Sequence, residues 1–457
     1  MTQTATANIT YNSVQTSAAQ SDLPTIAQDL FSLMMRNMAS DGFVFTDPLA
    51  PGQLFSTPGC IIASPSYAAD LGIVDQDYVY NWTRDAAVTA IEIAAANLPT
   101  RPGEGSQPLI DYVNFANIAQ NNDQTSGQPI GFASYTIEGQ PRPNWTEQSD
   151  GPALQTLAIL RAYPQLDAPT QATAQTVIGK NLNYLLGVYQ NPTFNLWEEQ
   201  KGNSFFARSV QLQCFQAITA NAFSIAVPAG VAAAVTWLQN ALASHWNATG
   251  GYYVSLLPQI TSGQDFPYDP NIDIVMACIY GAIPCTDTKL LATAALLRSQ
   301  WADSTSASFY PINGADQARG LGPLFGRYPG DVYDGDTQAP VKGGHPWALC
   351  SANFAQLYYT LANTVSANEA VPFDALSAPF FAQVGISAST AWSQAVTSLQ
   401  SAGDAILNAI IFHSDHLELS EQFDGTSGYE KSVSDLTWSY AAFLSAVRAK
   451  TGIAVLG

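Results

Sequence analysis

The sequence predicts an all-α domain in which about twelve helices pair into hairpins and close into a ring. Alanine-rich segments with apolar residues at helical spacing recur along the whole chain, whereas the alternation typical of strands is scarce. No linker-like tract rich in Pro, Ser or Thr and no low-complexity block divides the 457 residues. Because closed barrels of this length often fold as one unit, we expect a single domain over residues 1–457.

Eleven segments have the apolar spacing of amphipathic helices. In chain order they cover residues 23–39, 85–96, 151–162, 171–189, 210–223, 230–243, 271–281, 289–301, 346–362, 390–411 and 435–450. Eleven helices are close to the twelve that six helical hairpins contain, and the sequence shows no pattern of a parallel sheet.

Four connections between these segments are long, aromatic and rich in Gly and Pro. They cover residues 98–150, 190–209, 302–345 and 412–434. Long loops in a compact domain are usually functional, and loops that enter the same set of helices in a ring share one face. Five tryptophans lie in or beside the junctions of these loops with helices: Trp82, Trp145, Trp197, Trp347 and Trp438. We therefore expect the functional site on this face, with indole rings available to stack on a ligand.

The charge of the chain excludes one class of partner. Thirty-six acidic residues against sixteen Lys and Arg give a net charge of −20, so a nucleic acid backbone would be repelled. No stretch of about 20 apolar residues is evident, and the first twenty residues lack the basic start and apolar run of a signal peptide. We expect a monomer that binds neither nucleic acid nor a membrane.

The five cysteines, at positions 60, 214, 278, 285 and 350, include no C-x-x-C pair. Their number and spacing give neither a disulfide framework nor a metal knuckle, although Cys278 and Cys285 could close one short loop. We expect the other three to be buried thiols.

A metal site is the first alternative chemistry. His413, Asp415, His416 and Glu418 are ligand-type residues close together in sequence, but they lack the H-E-x-x-H spacing, and the chain has only four histidines. We predict no metal and no other cofactor.

Two segments carry the carboxyl groups that acetal hydrolysis requires, one to protonate the leaving oxygen and one to activate water. Glu198 and Glu199 follow Trp197, and the repulsion between adjacent carboxylates beside an indole raises the pKa of one of them, as a general acid requires. The alternative is a solvated pair near a helix start. Glu421, in the loop before the last helix, is either a base or a cap of that helix. The 223 residues between Glu198 and Glu421 leave open whether they meet.

Arg84 and Arg327 are two of only ten arginines, and both lie among aromatic residues. An Arg–Asp pair can hold sugar hydroxyls, or it can simply tie two loops together.

Six ordered motifs resemble those of glycoside hydrolase family fifteen, the glucoamylase family. They are Tyr80-Asn81-Trp82-Thr83-Arg84-Asp85, Asp150-Gly151-Pro152-Ala153-Leu154, Leu196-Trp197-Glu198-Glu199, Gly326-Arg327-Tyr328-Pro329, Pro346-Trp347-Ala348-Leu349-Cys350 and Ser420-Glu421-Gln422-Phe423. The matches extend over nearly the whole chain, and their order makes the resemblance specific.

The resemblance implies an (α/α)6 barrel with a blind pocket that admits one end of a glucan chain. It implies Glu198 as general acid and Glu421 as general base, with Ser432 hydrogen-bonded to the base. The implied contacts to the terminal sugar are Arg84, Asp85, Arg327 and the backbone at Leu196 and Trp197, with Glu199 on the next sugar and an aromatic wall of Tyr78, Trp82, Tyr333 and Trp438. Trp145 matches a further pocket tryptophan, although Thr146-Glu147-Gln148 follows it where the family usually has Gly-Arg-Pro.

The implied activity is exo-acting, inverting release of β-D-glucose from the non-reducing ends of α-1,4 and, more slowly, α-1,6 glucans such as starch and maltooligosaccharides. An extracellular location and the lack of an appended starch-binding module are expected with it. Two alternatives stay open: a related hydrolase that prefers trehalose, isomaltose or dextran, and a non-catalytic sugar-binding protein, which would need neither Glu198 nor Glu421.

Overall fold

The computed structural model describes residues 22–40, 42–46, 53–66, 78–100, 104–126, 130–145, 147–260, 267–337 and 339–452. Fourteen α-helices lie within these ranges: α1 Leu23–Met35, α2 Thr83–Ala96, α3 Gln107–Ser126, α4 Asp150–Ala162, α5 Ala168–Val188, α6 Phe205–Thr219, α7 Val231–Ala243, α8 Asp273–Ile279, α9 Thr288–Ala302, α10 Pro311–Ala318, α11 Ala348–Asn368, α12 Ala378–Ala382, α13 Trp392–His413 and α14 Thr437–Thr451.

Six of these helices form a closed inner ring. In order around the ring, α2, α4, α6, α8, α11 and α14 each pack against the next, and α14 packs against α2. Helices α1, α3, α5, α7, α9 and α13 pack outside the ring, so the chain alternates between an outer and an inner helix. The predicted all-α ring of six hairpins is therefore confirmed.

The burial of the helices separates the two layers. The inner helix α2 buries every residue except Ile91, and its many alanines allow neighbouring helices to approach closely. The outer helix α5 buries one stripe, which includes Thr170, Ala174, Val177 and Asn181. The stripe has the spacing of a helix with one face on the core and the other in solvent.

The strands are short and pair within or between the loops at the ends of the barrel. They are β1 Val44–Thr46, β2 Gln53–Phe55, β3 Asn81–Trp82, β4 Ser134–Tyr135, β5 Thr193–Phe194, β6 Lys201–Ser204, β7 Trp246–Asn247, β8 Tyr252–Tyr253, β9 Leu256–Leu257, β10 Gln422–Phe423 and β11 Glu430–Lys431. The pairs are antiparallel: β1–β2, β3–β4, β5–β6–β9, β7–β8 and β10–β11. The pairing satisfies backbone N–H and C=O groups in the segments that connect the helices.

The prediction of one long loop over residues 98–150 is wrong, because α3 occupies most of its first half. This helix is rich in Asn and Gln, which makes the segment appear loop-like, yet Leu109, Tyr112, Val113 and Ala116 are buried at helical spacing. The short helices α10 and α12 also lie outside the predicted segments.

One described helix, α13, has the length and apolar composition of a membrane span, contrary to the expectation that no segment would. It packs along α11 and buries Ala395, Leu399, Ile406 and Ile410 against the barrel. A core helix passes the same test of length and composition.

All five cysteines are free thiols, so no bridge between Cys278 and Cys285 closes a loop. Cys60, Cys214 and Cys350 are buried, as expected for cysteines that pack as small apolar side chains.

Candidate active site

A cavity of about 580 Å³ opens at the end of the ring where the inner helices begin. Trp82, Trp347 and Leu436 precede the first residues of α2, α11 and α14, and all three line it. The cavity collects almost every residue that the sequence singled out: Tyr78, Trp82, Arg84, Asp85, Trp145, Leu196, Trp197, Glu198, Glu199, Arg327, Tyr333, Glu421 and Trp438. Ser432 is not among the lining residues, but its hydroxyl donates a hydrogen bond to Glu421.

Glu198 lies at the tip of the hairpin formed by β5 and β6. The Asn195 side chain accepts hydrogen bonds from the backbone N–H groups of Glu199 at 2.9 Å and Gln200 at 3.1 Å, which holds the tip in a tight turn. Glu198 has a φ of 64°, in the left-handed region that non-glycine residues seldom occupy. Such a conformation costs about 1–3 kcal/mol and is typical of functional positions.

The environment of Glu198 combines burial with one cation. Nη2 of Arg84 donates to Oε1 of Glu198 at 3.0 Å, and Nη1 of the same arginine donates to Gln148 at 2.9 Å and Asp150 at 3.1 Å. Burial raises the pKa of Glu198 to about 7, although the Arg84 charge acts in the opposite direction. The carboxyl group is therefore mostly protonated below neutral pH and able to donate a proton.

Glu421 is held by three hydroxyl groups. Tyr78 donates to its Oε1 at 2.6 Å, while Ser432 at 2.5 Å and Tyr333 at 3.3 Å donate to its Oε2. Burial raises the pKa of Glu421, and these hydroxyl donors oppose the rise because they stabilise the carboxylate form. The last helix begins only at Thr437 and has no side-chain cap, so the alternative of Glu421 as its cap is wrong.

The two arginines both tie loops together and line the cavity. Arg327 forms a two-pronged pair with Asp331, at 2.8 and 2.6 Å, and donates to Oε1 of Glu199 at 2.7 Å. The other oxygen of Glu199 accepts from Tyr328 at 2.7 Å. Glu199 therefore links the tip of the β5–β6 hairpin to the loop that carries Arg327.

Asp85 lies beside Arg84 at the start of α2. Its carboxylate oxygen is 3.7 Å from Nε of Arg84, and burial raises its pKa to about 6 in spite of that charge. The pair places a buried cation and a buried acceptor next to each other at the cavity wall.

Aromatic rings form much of the remaining wall. Trp82 and Trp145 pack edge to face with ring centroids 4.9 Å apart, and the ring centroids of Trp197 and Trp347 are 5.7 Å apart. The Trp197 indole donates to Asn271 at 3.0 Å, whereas the buried indole N–H of Trp347 has no hydrogen-bond partner among the described residues.

Several residues of the site were not predicted. Trp347 was noted at a junction and within a motif but was given no role in the site, and Asp334 lines the cavity from a loop without a recognisable motif. Asp150 and Asp331 hold the two arginines. They could have been found, because a buried guanidinium requires a carboxylate partner, Asp150 begins one of the six motifs and Asp331 lies four residues after Arg327.

Among the residues that the structure describes, no group of three or more His, Cys, Asp or Glu side chains is arranged to hold a metal ion. His413, the last residue of α13, is instead hydrogen-bonded through Nε2 to Oδ2 of Asp316 at 2.8 Å.

The fold is a helical barrel of six hairpins. One cavity of this barrel holds two carboxyl groups in separate environments, two arginines that each pair with an aspartate, and an aromatic wall. This combination defines a glycoside hydrolase. The family described as glycosyl hydrolases family 15 matches residues 33–448. The chain belongs to this family, which confirms the predicted family, fold and enzyme class.

Individual relatives agree with the family match. The chain is 29% identical to glucoamylase 1 of Rhizopus oryzae over 84% of its own length and 66% of that protein. It is 27% identical to an intracellular, sporulation-specific glucoamylase of Saccharomyces cerevisiae, over 85% of the chain and 78% of that protein. The solved structure of Hormoconis resinae glucoamylase has the same fold, with a TM-score of 0.73 and 23% identity over 94% of this chain and 73% of that one. The chain thus spans just under two thirds of the Rhizopus protein.

Proposed function

We propose that this chain is an exo-acting, inverting hydrolase that releases β-D-glucose from the non-reducing ends of α-1,4 and, more slowly, α-1,6 glucans such as starch and maltooligosaccharides. The observation that carries the proposal is the contrast between Glu198 and Glu421 in one cavity. One carboxyl group has a pKa near 7 beside Arg84, and the other accepts hydrogen bonds from three hydroxyl groups. Such a pair divides the roles of acid and base between two environments.

The reaction follows from these roles. Glu198 donates its proton to the glycosidic oxygen as the bond from that oxygen to the anomeric carbon breaks. Glu421 removes a proton from a water that attacks the anomeric carbon from the opposite face. The new C–O bond has the inverted configuration, so an α-linkage gives the β-anomer of glucose. Exchange with solvent returns the proton from Glu421 to Glu198.

The other predicted residues hold the substrate. Arg84, Asp85, Arg327 and the backbone at Leu196 and Trp197 bind hydroxyls of the terminal glucose, Glu199 binds the next sugar, and Tyr78, Trp82, Trp145, Tyr333 and Trp438 form the stacking wall. Support for this assignment comes from their common place on the cavity wall. The unpartnered indole N–H of Trp347 is a further donor for a sugar hydroxyl.

A labelled substrate tests the exo-acting part of the proposal. Maltoheptaose with a fluorophore at its reducing end should shorten by one glucose at a time, and early samples should contain the labelled hexaose before any shorter product. Early appearance of labelled maltose or maltotriose would show internal cleavage and contradict the proposal.

Linkage preference is tested separately. Initial rates on maltose, isomaltose, α,α-trehalose and dextran should be highest on maltose, with isomaltose slower. A higher rate on trehalose or dextran would assign the chain to the alternative activity of a related hydrolase. No hydrolysis of any of these sugars, combined with measurable binding, would favour a sugar-binding protein.

We also infer one domain, a monomeric state and an extracellular location. Support for a single domain comes from the closure of the ring, in which α14, near the end of the described chain, packs against α2. Light scattering of the purified protein should give the mass of one 48.7 kDa chain. Fractionation of the source cells tests the location, and the test is informative because one relative is described as intracellular.

A further inference from the structure

A turn at the rim of the cavity is linked by charge to the hairpin that carries Glu421. Nζ of Lys431 lies 3.1 Å from Oδ1 of Asp334 and 2.9 Å from Oδ2 of Asp336. The two aspartates belong to one turn, while Lys431 lies in β11. We refer to Asp334, Asp336 and Lys431 as the rim clamp.

The rim clamp reaches the backbone of Ser432. Oδ1 of Asp336 accepts a hydrogen bond from the N–H of Ser432 at 2.8 Å. Ser432 has a φ of 64°, a left-handed conformation that a serine adopts only when its surroundings hold it there. Asp334 fixes the position of Asp336, because its Oδ1 accepts from the backbone N–H of Asp336 at 2.9 Å.

Ser432 passes this restraint on to Glu421. Its hydroxyl donates to Oε2 of Glu421 at 2.5 Å, and the direction of that hydroxyl depends on the backbone conformation that Asp336 holds. Gly335, between the two aspartates, packs directly against the same serine, since a Cβ added there would lie 2.0 Å from the Ser432 hydroxyl oxygen. The turn and the serine are therefore in direct contact as well as hydrogen-bonded.

We propose that Asp336 is a positioning residue for Glu421, acting through the backbone of Ser432, and that Lys431 and Asp334 hold Asp336 in place. The inference rests on the proposed function, in which Glu421 is the base. Asp336 itself is substantially exposed, with 44% of its side chain accessible, so its removal leaves no buried cavity behind. Asp336 is not among the residues that line the cavity, and its hydrogen-bonded route to Glu421 passes through Ser432.

The test is a double-mutant cycle with Asp336→Ala and Ser432→Ala, assayed as kcat, KM and the pH dependence of kcat/KM on maltotriose. Asp336→Ala should lower kcat about tenfold and leave KM within about twofold, which is the effect of one lost charge-assisted hydrogen bond. In the Ser432→Ala background the same change should alter kcat by less than about twofold, because the route to Glu421 is already cut.

The pH profile separates positioning from general loosening. A weaker hydrogen bond from Ser432 should raise the pKa of Glu421 and move the acid limb of kcat/KM to higher pH. The other groups that face Glu421 are unchanged in these variants: Tyr78, Tyr333, Arg327 and Asp85. Asp336→Asn removes the same charge as Asp336→Ala but keeps an oxygen acceptor, so the difference between the acid limbs of these two variants reports on the hydrogen bond to Ser432.

Three further variants complete the design. Asp336→Asn retains an oxygen that can accept from the Ser432 N–H, so its kcat should stay within about threefold of wild type. Lys431→Gln should lower kcat by about threefold in the wild-type background and not at all beside Ser432→Ala. Asp404→Ala removes a partly exposed pair with Lys450 and the hydrogen bond that Asp404 accepts from the Tyr359 hydroxyl, and it should leave kcat unchanged because none of these residues lines the cavity.

Equal losses from Asp336→Ala in the two backgrounds, or an unmoved acid limb, would overturn the inference. If Asp336→Ala does not fold, the same comparison with Lys431→Gln decides it. If neither the wild type nor Asp404→Ala released glucose, the proposed function itself would be refuted. Failure of the positioning inference and failure of the proposed function are therefore distinguishable.

Discussion

At the scale of single residues, the site depends on two carboxyl groups whose surroundings differ. Glu198 receives one charged donor, from Arg84, whereas Glu421 receives three neutral ones. Burial raises the pKa of both groups, and to about 7 for Glu198. Burial favours the proton on Glu198 in spite of the Arg84 charge, whereas the three hydroxyl donors favour the ionised form of Glu421.

Removal of either carboxyl group should nearly abolish turnover. Glu198→Gln and Glu421→Gln should each lower kcat by at least about 10²-fold, the usual scale of acid or base catalysis, with little change in the unfolding temperature. The amide keeps the volume and one acceptor oxygen but can neither give nor take the proton. A near-normal kcat in either variant would contradict the assignment of that residue as general acid or general base.

The pH dependence follows from the same two groups. Glu198 must be protonated, so kcat/KM should fall as pH rises through about 7. Glu421 must be ionised, so kcat/KM should also fall as pH decreases through its pKa, which burial raises above the ordinary value for a glutamate. A profile measured with maltotriose should be bell-shaped. Full activity maintained to pH 9 would contradict the assignment of Glu198.

At the scale of elements, short hairpins convert loops into supports for single side chains. The tip of the β5–β6 hairpin is closed by the side chain of Asn195, which is fully buried and also donates to the hydroxyl of Tyr268. One amide side chain therefore holds the conformation of the tip, and the tip sets the positions of both Glu198 and Glu199.

Asn195→Ala should therefore impair both stability and activity. Loss of the acceptor for two backbone N–H groups should lower the free energy of unfolding by about 2 kcal/mol and lower kcat at least tenfold. A matched control is Asn247→Ala, which removes a similar side-chain acceptor, for the N–H of Gly250, from an exposed turn. Urea unfolding and maltotriose kinetics of both variants provide the comparison. Equal losses in kcat would show that the effect is not specific to the tip.

At the scale of the whole molecule, the ring must close between its first and last inner helices. Arg448 of α14 makes a two-pronged pair with Glu92 of α2, at 2.6 and 3.1 Å, and the Glu92 side chain is only 3% exposed. A buried carboxylate without its partner destabilises the folded state, so the Arg448–Glu92 pair favours the arrangement in which α14 packs against α2.

Arg448→Met should lower the free energy of unfolding by about 3 kcal/mol, because it leaves Glu92 buried and unpaired. The double variant Glu92→Gln with Arg448→Met should recover part of that loss. Lys201→Met breaks an exposed pair with Glu147 and should cost less than about 1 kcal/mol. Equal losses from Arg448→Met and Lys201→Met in urea unfolding would show that the pair between α2 and α14 contributes no more than a surface contact.

The sequence predicted the ring and most of the cavity, and particular residues explain why it did not predict more. Motifs place Arg84, Glu198 and Glu421 at loop ends, and a barrel with alternating helices brings such ends to one face. Helix α3 was missed because its polar surface obscures a short apolar stripe. Asp334 was missed because its position depends on how a loop folds back over the rim, which spacing along the chain does not encode.

The most direct test of the account is the anomeric form of the first glucose released from maltose, followed by proton NMR before mutarotation. Attack by water from the face opposite the leaving oxygen, with Glu421 as base and Glu198 as acid, predicts that the β-anomer appears first. Initial release of the α-anomer would contradict it, because retention requires a carboxylate that attacks the sugar itself.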